Sequence, residues 1–207
     1  MVQVLQAQEI TLLDLSETFG LELAENEQFF PEWQDNLPEL TDAEQQSLDE
    51  VKRDYIHLSQ YPLLEPVVKM VVLSPLLRLA GFYRPPFYIA AEKEASISAE
   101  DEGVLIKGRI DILVFRPQLW VLVIESKRAK FSLEGAIPQA LSYMLASPNG
   151  EKLTYGFITN GSEFLFLKLN REETPKYAIS YPLSLRRGDD LYEVLRGLKR
   201  LREVVML

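Results

Sequence analysis

The residues best placed to do chemistry lie in the segment GRIDILVFRPQLWVLVIESKRAKF, residues 108–131. Its two apolar stretches, joined by a short Arg-Pro-Gln connection, predict a β-hairpin. Asp111 belongs to the first predicted strand. Glu125 and Lys127 are two residues apart in the second strand, so their side chains should project from the same face. Charged side chains are disfavoured in an apolar sheet unless they pair with each other or hold a metal ion.

Two carboxylates that meet at one end of a sheet repel each other unless one is protonated or a cation bridges them. Mg²⁺ prefers carboxylate oxygens, and it can offset the charge that develops on a phosphate during hydrolysis. Lys127 would then orient or activate a water molecule, or stabilise the transition state. The alternative is a solvated strand end, which a charge-rich sequence often produces by chance.

Two further features favour a functional site over a solvated strand end. A predicted helix follows the hairpin, and it carries Gln139 and Tyr143 four residues apart on one face. Upstream, Glu65 lies in an otherwise apolar predicted helix and is available as a third acidic group. Arg128 and Lys130 add a small basic cluster that suits a phosphate backbone, although a solvated strand exit explains them equally well.

Composition excludes several classes of chemistry. The 207 residues include no Cys and a single His, which excludes thiolate and cysteine-ligated metal sites and leaves little for histidine-dependent catalysis. The N-terminus lacks a signal-peptide pattern and no apolar run is long enough to span a membrane, so a soluble cytoplasmic protein with no membrane partner is the expectation.

The negative charge is concentrated at one end of the chain. The formal net charge is −9, but residues 1–50 carry thirteen Asp and Glu and no Lys or Arg. Residues 51–207 therefore carry 18 acidic and 22 basic residues, a net charge of +4. This mildly basic body is compatible with phosphate binding. We interpret residues 1–40 as an irregular acidic N-terminal arm and residues 41–207 as the main domain.

The hydrophobic periodicity predicts an α/β (α+β) fold, with a mixed β-sheet flanked by helices. Thr41 and Glu44 form a capping box that should begin a helix. Pro66 fits the first turn of the next helix, and Pro75 should kink it or divide it. Pro138 fits a first turn or kinks its helix. The predicted elements are helices over 41–58, 61–81 and 132–147 and from 189, and strands over 86–98, 104–115, 119–127, 153–160 and 163–169.

The ordered motifs resemble a known family. Asp111 in GRIDILVF, Glu-x-Lys in VIESK and Gln-x-x-x-Tyr in QALSY are similar to the PD-(D/E)XK nuclease superfamily. The closest likeness is to the N-terminal nuclease domain of type I restriction enzyme R subunits. LLEPVVKMVVLSPLLRLAGF is similar to that family's first helix, and GFITNGSEFLFLKL to its later hairpin, so the likeness covers roughly residues 60 to 170.

The resemblance implies a restriction-endonuclease-like fold for residues 41–207 and hydrolysis of DNA phosphodiester bonds. It implies that Asp111 and Glu125 ligate Mg²⁺, for which Mn²⁺ can substitute. It also implies that the Ser126 backbone carbonyl is a further ligand and that Glu65 completes the acidic cluster. Gln139 with Tyr143 would position DNA or the lysine. Lys127 would assist the attacking water.

Other interpretations stay open. The acidic segment could mask a basic groove or bind a partner protein, which would make the chain a catalytically silent DNA- or protein-binding regulatory module on the same fold. RNA could replace DNA as the substrate. Cutting both strands of a duplex requires two sites or two events, and a homodimer is one way to provide two sites.

Overall fold

The structure is a computed structural model that describes residues 3–99, 104–116, 119–127, 131–147 and 153–206. Its helices are α1 (Leu12–Phe19), α2 (Asp42–Leu58), α3 (Glu65–Val68), α4 (Ser74–Leu79), α5 (Ile137–Leu145) and α6 (Asp190–Val204). Its strands are β1 (Gln3–Gln6), β2 (Glu22–Leu23), β3 (Tyr88–Ala99), β4 (Val104–Arg116), β5 (Leu119–Ser126), β6 (Leu153–Thr159), β7 (Glu163–Asn170), β8 (Lys176–Ile179) and β9 (Leu183–Ser184). A π-helical turn, Lys69–Leu73, joins α3 to α4.

The predicted helix starts are confirmed. Thr41 and Glu44 form the capping box of α2, with the Thr41 amide donating to the Glu44 carboxylate at 2.8 Å. Pro66 and Pro75 lie in the first turns of α3 and α4. The wider π turn, Lys69–Leu73, precedes Pro75, so the segment is divided into two short helices before the proline that has no N–H to continue an α-helix. Pro138 likewise lies in the first turn of α5 and leaves the helix intact.

The described strands form a single mixed sheet, as predicted. The strand order is β1-β4-β5-β6-β7-β8-β2, with β3 also paired to β4 and β9 also paired to β7. β4 and β5 form the predicted antiparallel hairpin, and β6 and β7 form the second one. β5 and β6 are parallel, and the connection between them carries α5. The helix that bears Gln139 and Tyr143 is therefore held beside the end of β5.

β4 changes partners along its length. Its first residues pair in parallel with β1 as far as Lys107, and its last residues pair with β5 from Ile112 onward. Residues 108–111 lie between these two pairings, where the partner strands diverge. Asp111 lies in this gap, where neither β1 nor β5 pairs with β4. Its side chain can therefore reach the end of β5.

The sheet has a hydrophobic core on each face. The first packs against α2, the α3–α4 segment and α6, and it includes Phe157, Phe164 and Phe166, which are fully buried. The second packs against α1 and α5 and includes Leu165 and Leu167. Neighbours along β7 thus alternate between the two cores, as the pleat requires. The three phenylalanines are therefore packing residues of the first core.

The N-terminal segment departs from the irregular arm that composition suggested. β1 pairs with β4 at one end of the sheet, and β2 pairs with β8 at the other. Between them α1 buries Leu15, and Ile10 and Leu21 join the second core. These strands are too short, at four and two residues, for alternation to reveal them in the sequence. Residues 3–6 and 22–23 therefore join the N-terminal segment to the sheet.

Among the described helices, none is long and apolar enough to cross a membrane.

Candidate functional site

Asp111 and the end of β5 meet as the hairpin predicts. The Ser126 amide donates to Asp111 Oδ2 at 2.7 Å, which fixes the Asp111 carboxylate beside the last residue of β5. The side chain of Asp111 is 15 % exposed. Its pKa is raised by burial, although the Ser126 amide and the Lys69 ammonium oppose that change. The side chain is therefore a partly desolvated carboxylate at the sheet gap.

Glu125 is the most deeply buried carboxylate of the site. Its side chain is 1 % exposed, and its Oε1 atom is buried with no hydrogen-bond partner among the described residues. Burial, and after it the charge of Asp111, raises the pKa of Glu125 to about 8. A buried carboxylate oxygen without a hydrogen-bond partner is unfavourable unless a bound group, such as a cation, contacts that oxygen.

Lys127 is held by two neighbours. Its Nζ donates to Gln139 Oε1 at 2.7 Å and lies 3.5 Å from Glu125 Oε2. Gln139 in turn donates through Nε2 to the Tyr143 hydroxyl at 3.2 Å. The predicted set of Glu125, Lys127, Gln139 and Tyr143 is thus joined in one chain of contacts, and Pro138 does not displace Gln139 from it.

Tyr143 anchors this chain of contacts to the gap in the sheet. Its hydroxyl accepts a hydrogen bond from the Arg109 amide at 3.0 Å. Burial raises the pKa of Tyr143, so the phenol stays protonated. The close approach depends on Gly108, because a Cβ there would collide with the Tyr143 hydroxyl and with Ala7. Glycine is therefore required at the point where β4 leaves β1.

Glu65 reaches the site through a lysine that the sequence did not single out. Lys69 Nζ lies 2.6 Å from Glu65 Oε1, 3.2 Å from Asp111 Oδ1 and 3.7 Å from Glu92 Oε1. Burial opposes the charge of Lys69, but Glu65 and Asp111 outweigh it and raise the pKa of the ammonium. Lys69 therefore sits as a charged group among three carboxylates.

The carboxylates of the site, with Lys127 and Gln139, open onto one cavity of about 1010 Å³. Glu65, Asp111, Glu125, Lys127 and Gln139 line it together. Basic side chains also contribute to the wall: Lys93, Lys107 and Arg109. Glu92 and Glu94 also line the cavity, 3.8 and 4.0 Å from Arg109, so its wall carries charges of both signs. A polar, charged cavity of this kind suits a phosphate ester better than an apolar ligand.

The fit to a divalent ion can be judged from the donors. Asp111 and Glu125 supply hard oxygen atoms, and Glu125 Oε1 is the buried oxygen that still needs a partner. In the part of the chain that is described, no three acidic or histidine side chains form a ready metal-binding group. The third carboxylate, Glu65, is engaged by Lys69 instead. The residues present therefore suit one ion at the Asp111–Glu125 pair.

Two predicted residues could not be placed. Arg128 and Lys130 lie outside the described residues, which resume at Phe131. Ser126 is fully buried and contacts Asp111 through its amide.

Sequence reasoning missed Lys69, Glu92 and Arg109. Lys69 could have been found, because it follows Glu65 by four residues and therefore shares its helix face. No motif or spacing in the sequence marks Glu92. In the structure it lies level with Asp111, between the pairs Ala91–Ile112 and Lys93–Ile110, and its φ of +54° is one that non-glycine residues rarely adopt. Strain of this kind is often kept at functional sites.

Comparisons with known proteins agree with the motifs. Residues 93–175 match the family described as the type I restriction enzyme R protein N terminus, which is less than half of the chain. A search of curated proteins finds no match. Among solved structures, a fragment assigned to an HsdR subunit of a type I restriction enzyme from Vibrio vulnificus YJ016 is 19 % identical, with a TM-score of 0.40. That likeness covers 66 % of this chain and 26 % of the other, so this chain spans about a quarter of the other's length.

The matched segment contains the two carboxylates of the hairpin, the lysine that follows them and the Gln-x-x-x-Tyr helix. The resemblance inferred from the motifs is therefore confirmed: residues 93–175, which carry Asp111, Glu125 and Lys127, match the family described as the type I restriction enzyme R protein N terminus.

Proposed function

We propose that the protein is a metal-dependent nuclease that hydrolyses DNA phosphodiester bonds. The observation that carries this proposal is the buried, unpartnered oxygen of Glu125, which lies beside Asp111 and Lys127 on the wall of an open polar cavity. The family match of residues 93–175 supports it independently. A structural ion pair would not need two carboxylates, a buried free oxygen and access from solvent.

Asp111 and Glu125 would hold Mg²⁺, or Mn²⁺ in its place, with the Ser126 backbone carbonyl as a further oxygen donor. Glu65, which Lys69 engages, would complete the acidic cluster through water. When bound, the ion would supply Lewis-acid stabilisation of phosphate charge and make water easier to deprotonate. The protein's part is to orient the carboxylates, which the Ser126 amide does for Asp111, and the bound cation would favour their ionised forms.

Lys127 would act directly on the reacting groups. An ammonium has three protons to donate, and the contacts to Gln139 and Glu125 use two of them. The third can donate to a phosphate oxygen or orient the attacking water, and it stabilises the negative charge that builds in the transition state. Gln139 and Tyr143 act as positioning residues: Gln139 accepts a hydrogen bond from Lys127, and the Tyr143 hydroxyl holds Gln139 in place.

The basic wall of the cavity would receive the DNA backbone. Lys93, Lys107 and Arg109 line it, and the prediction that Arg128 and Lys130 bind phosphate rests on the sequence alone. Contacts of this kind neutralise phosphates and make binding salt-dependent. They carry no sequence information, so we expect DNA affinity that is largely independent of sequence.

The test is a cleavage assay on supercoiled plasmid DNA with Mg²⁺ or Mn²⁺. Wild type should nick or linearise the plasmid, and Lys127→Ala should reduce the rate by about 10²–10⁴-fold. Lys176→Ala is the matched control, because Lys176 is about half exposed on β8, outside the site cavity. Equal rates for wild type and Lys127→Ala, with circular dichroism unchanged, would refute the catalytic assignment.

A second candidate is a binding module on the same fold. It is favoured by the N-terminal segment, which contributes Gln6, Ala7 and Gln8 to the wall of the cavity and exposes Glu9 and Glu17 nearby in sequence. This segment could contact a protein partner or limit access for DNA. Retarded migration of DNA without cleavage would favour the module, and parallel assays on matched RNA would identify the substrate class. A homodimer would provide two sites for cutting both strands.

A further inference from the structure

Lys69 occupies a defined position inside the acidic group. It bridges Glu65 and Asp111 at 2.6 and 3.2 Å, and its side chain is only 20 % exposed. Glu65 holds it from one helical turn away, where an i,i+4 pair is geometrically favoured. The Lys69 ammonium is therefore held in place by two carboxylates, Glu65 and Asp111, and is largely shielded from solvent.

The two carboxylate oxygens of Asp111 contact different groups. Oδ2 accepts the Ser126 amide, on the side of β5 where Glu125 lies, and Oδ1 contacts Lys69. Glu92, on β3, is the third carboxylate near Lys69, with its Oε1 atom 3.7 Å from the ammonium. Its φ of +54° shows that the strand backbone adopts a rarely populated conformation opposite Asp111.

This arrangement resembles a two-ion site with one position already filled. In two-metal phosphodiesterases the ions lie about 3.5–4 Å apart and share carboxylate ligands. Here Asp111 is the shared carboxylate, the Glu125 side has a buried free oxygen, and the Glu65–Glu92 side has a lysine.

We propose that Lys69 takes the place of a second divalent cation, so that the site binds a single metal ion on the Asp111–Glu125 side. The proposal rests on the proposed function, because it presumes that a metal ion binds at all. Its physical basis is repulsion: an ammonium 3.2 Å from Asp111 neutralises the oxygens that a second ion would need and repels that ion directly.

The test is the stoichiometry of Mn²⁺ binding to the full chain without DNA, measured by calorimetry and by electron paramagnetic resonance. Wild type should bind one Mn²⁺. Lys69→Met keeps the length of the side chain and removes its charge, so it should bind two, with the first bound on the order of tenfold more tightly. Lys107→Met removes an exposed lysine from the same cavity and should still bind one.

Lys69→Gln is a second neutral variant, which keeps the test valid if Lys69→Met fails to fold, and Lys69→Arg should restore a stoichiometry of one. A stoichiometry of two for wild type, or of one for both neutral variants, would overturn the proposal and leave the metal-dependent function standing. Failure of wild type to bind any Mn²⁺ would overturn both proposals together. Spin coupling between the two ions in the neutral variants would show that they share the site.

Discussion

Two clusters in this molecule place a lysine against a buried carboxylate on the same sheet, and they are built differently. In the closed cluster, Glu32, Tyr155 and Lys168, one ammonium meets one carboxylate. Lys168 also donates to the Phe29 carbonyl at 2.8 Å, and the Tyr155 hydroxyl donates to Glu32 Oε1 at 3.0 Å. In the candidate site, Lys127 lies 3.5 Å from a carboxylate that also faces Asp111.

A buried oxygen without a partner does not by itself separate the two clusters, since Glu32 Oε2 is also in that condition. The two clusters differ in their balance of charge and in their access to solvent. The closed cluster is balanced and packed beneath the rings of Phe29 and Phe30. The candidate site brings several carboxylates together on the wall of a cavity of about 1010 Å³. Balanced burial stabilises a fold, whereas unbalanced charge that is open to solvent prepares a site for a ligand.

The largest expected difference is in cleavage. Asp111→Asn removes a carboxylate that would hold the metal, so the rate of plasmid cleavage should fall by about a thousandfold or more. Glu32→Gln in the closed cluster should leave the rate within a few-fold of wild type, provided that the protein is assayed well below its melting temperature. Similar losses in the two variants would mean that the clusters do not differ in function.

The free energy of unfolding should depend more on the closed cluster than on the candidate site. Lys168→Met leaves Glu32 buried without its cation and should cost about 3–5 kcal/mol in urea unfolding at pH 7, because both side chains are less than 15 % exposed. Lys127→Met should cost less than about 1 kcal/mol without metal, since Glu125 is largely protonated below its pKa of about 8. A larger loss from Lys127→Met than from Lys168→Met would contradict the division into a structural and a functional cluster.

The pH dependence of stability should come from the candidate site. The pKa of Glu125 rises from 4.5 to about 8 on folding, so the folded chain retains a proton that the unfolded chain releases. This stabilisation is fully present below about pH 4.5 and is lost as pH rises through about 8, with a slope of up to about 1.4 kcal/mol per pH unit. Unfolding measured in EDTA should show that slope in wild type and lose it in Glu125→Gln. Parallel pH profiles for the two proteins would show that Glu125 does not titrate in this way.

The smallest test concerns the tyrosine beneath the site. Gly108→Ala should displace the Tyr143 hydroxyl, weaken its contact with Gln139 and destabilise the protein by about 1–3 kcal/mol. Gly135→Ala is the matched control, because a Cβ at Gly135 meets no atom within 4 Å and should change stability by less than about 1 kcal/mol. Equal stabilities of the two variants would mean that the close approach at Gly108 is not required.

Local pattern was enough to predict much of the site. The hairpin, the capping box of α2 and the helix after β5 follow from periodicity and turn residues, and they determine where Asp111, Glu125 and Gln139 must lie. The contribution of Lys69 depends on how α3 docks against the end of the sheet, which is a contact between distant parts of the chain. Glu92 could not be predicted, because its positive φ occurs where glycine or asparagine would be expected. The short strands β1 and β2 were missed because they are too brief to show a period.

The most direct test of the central claim is anomalous diffraction from crystals of the protein soaked in Mn²⁺. We predict a strong anomalous peak between the carboxylates of Asp111 and Glu125, with Lys127 still in contact with Gln139. Well-ordered Asp111 and Glu125 side chains with no peak between them, at Mn²⁺ concentrations that support cleavage, would contradict the assignment of this pair as the metal site.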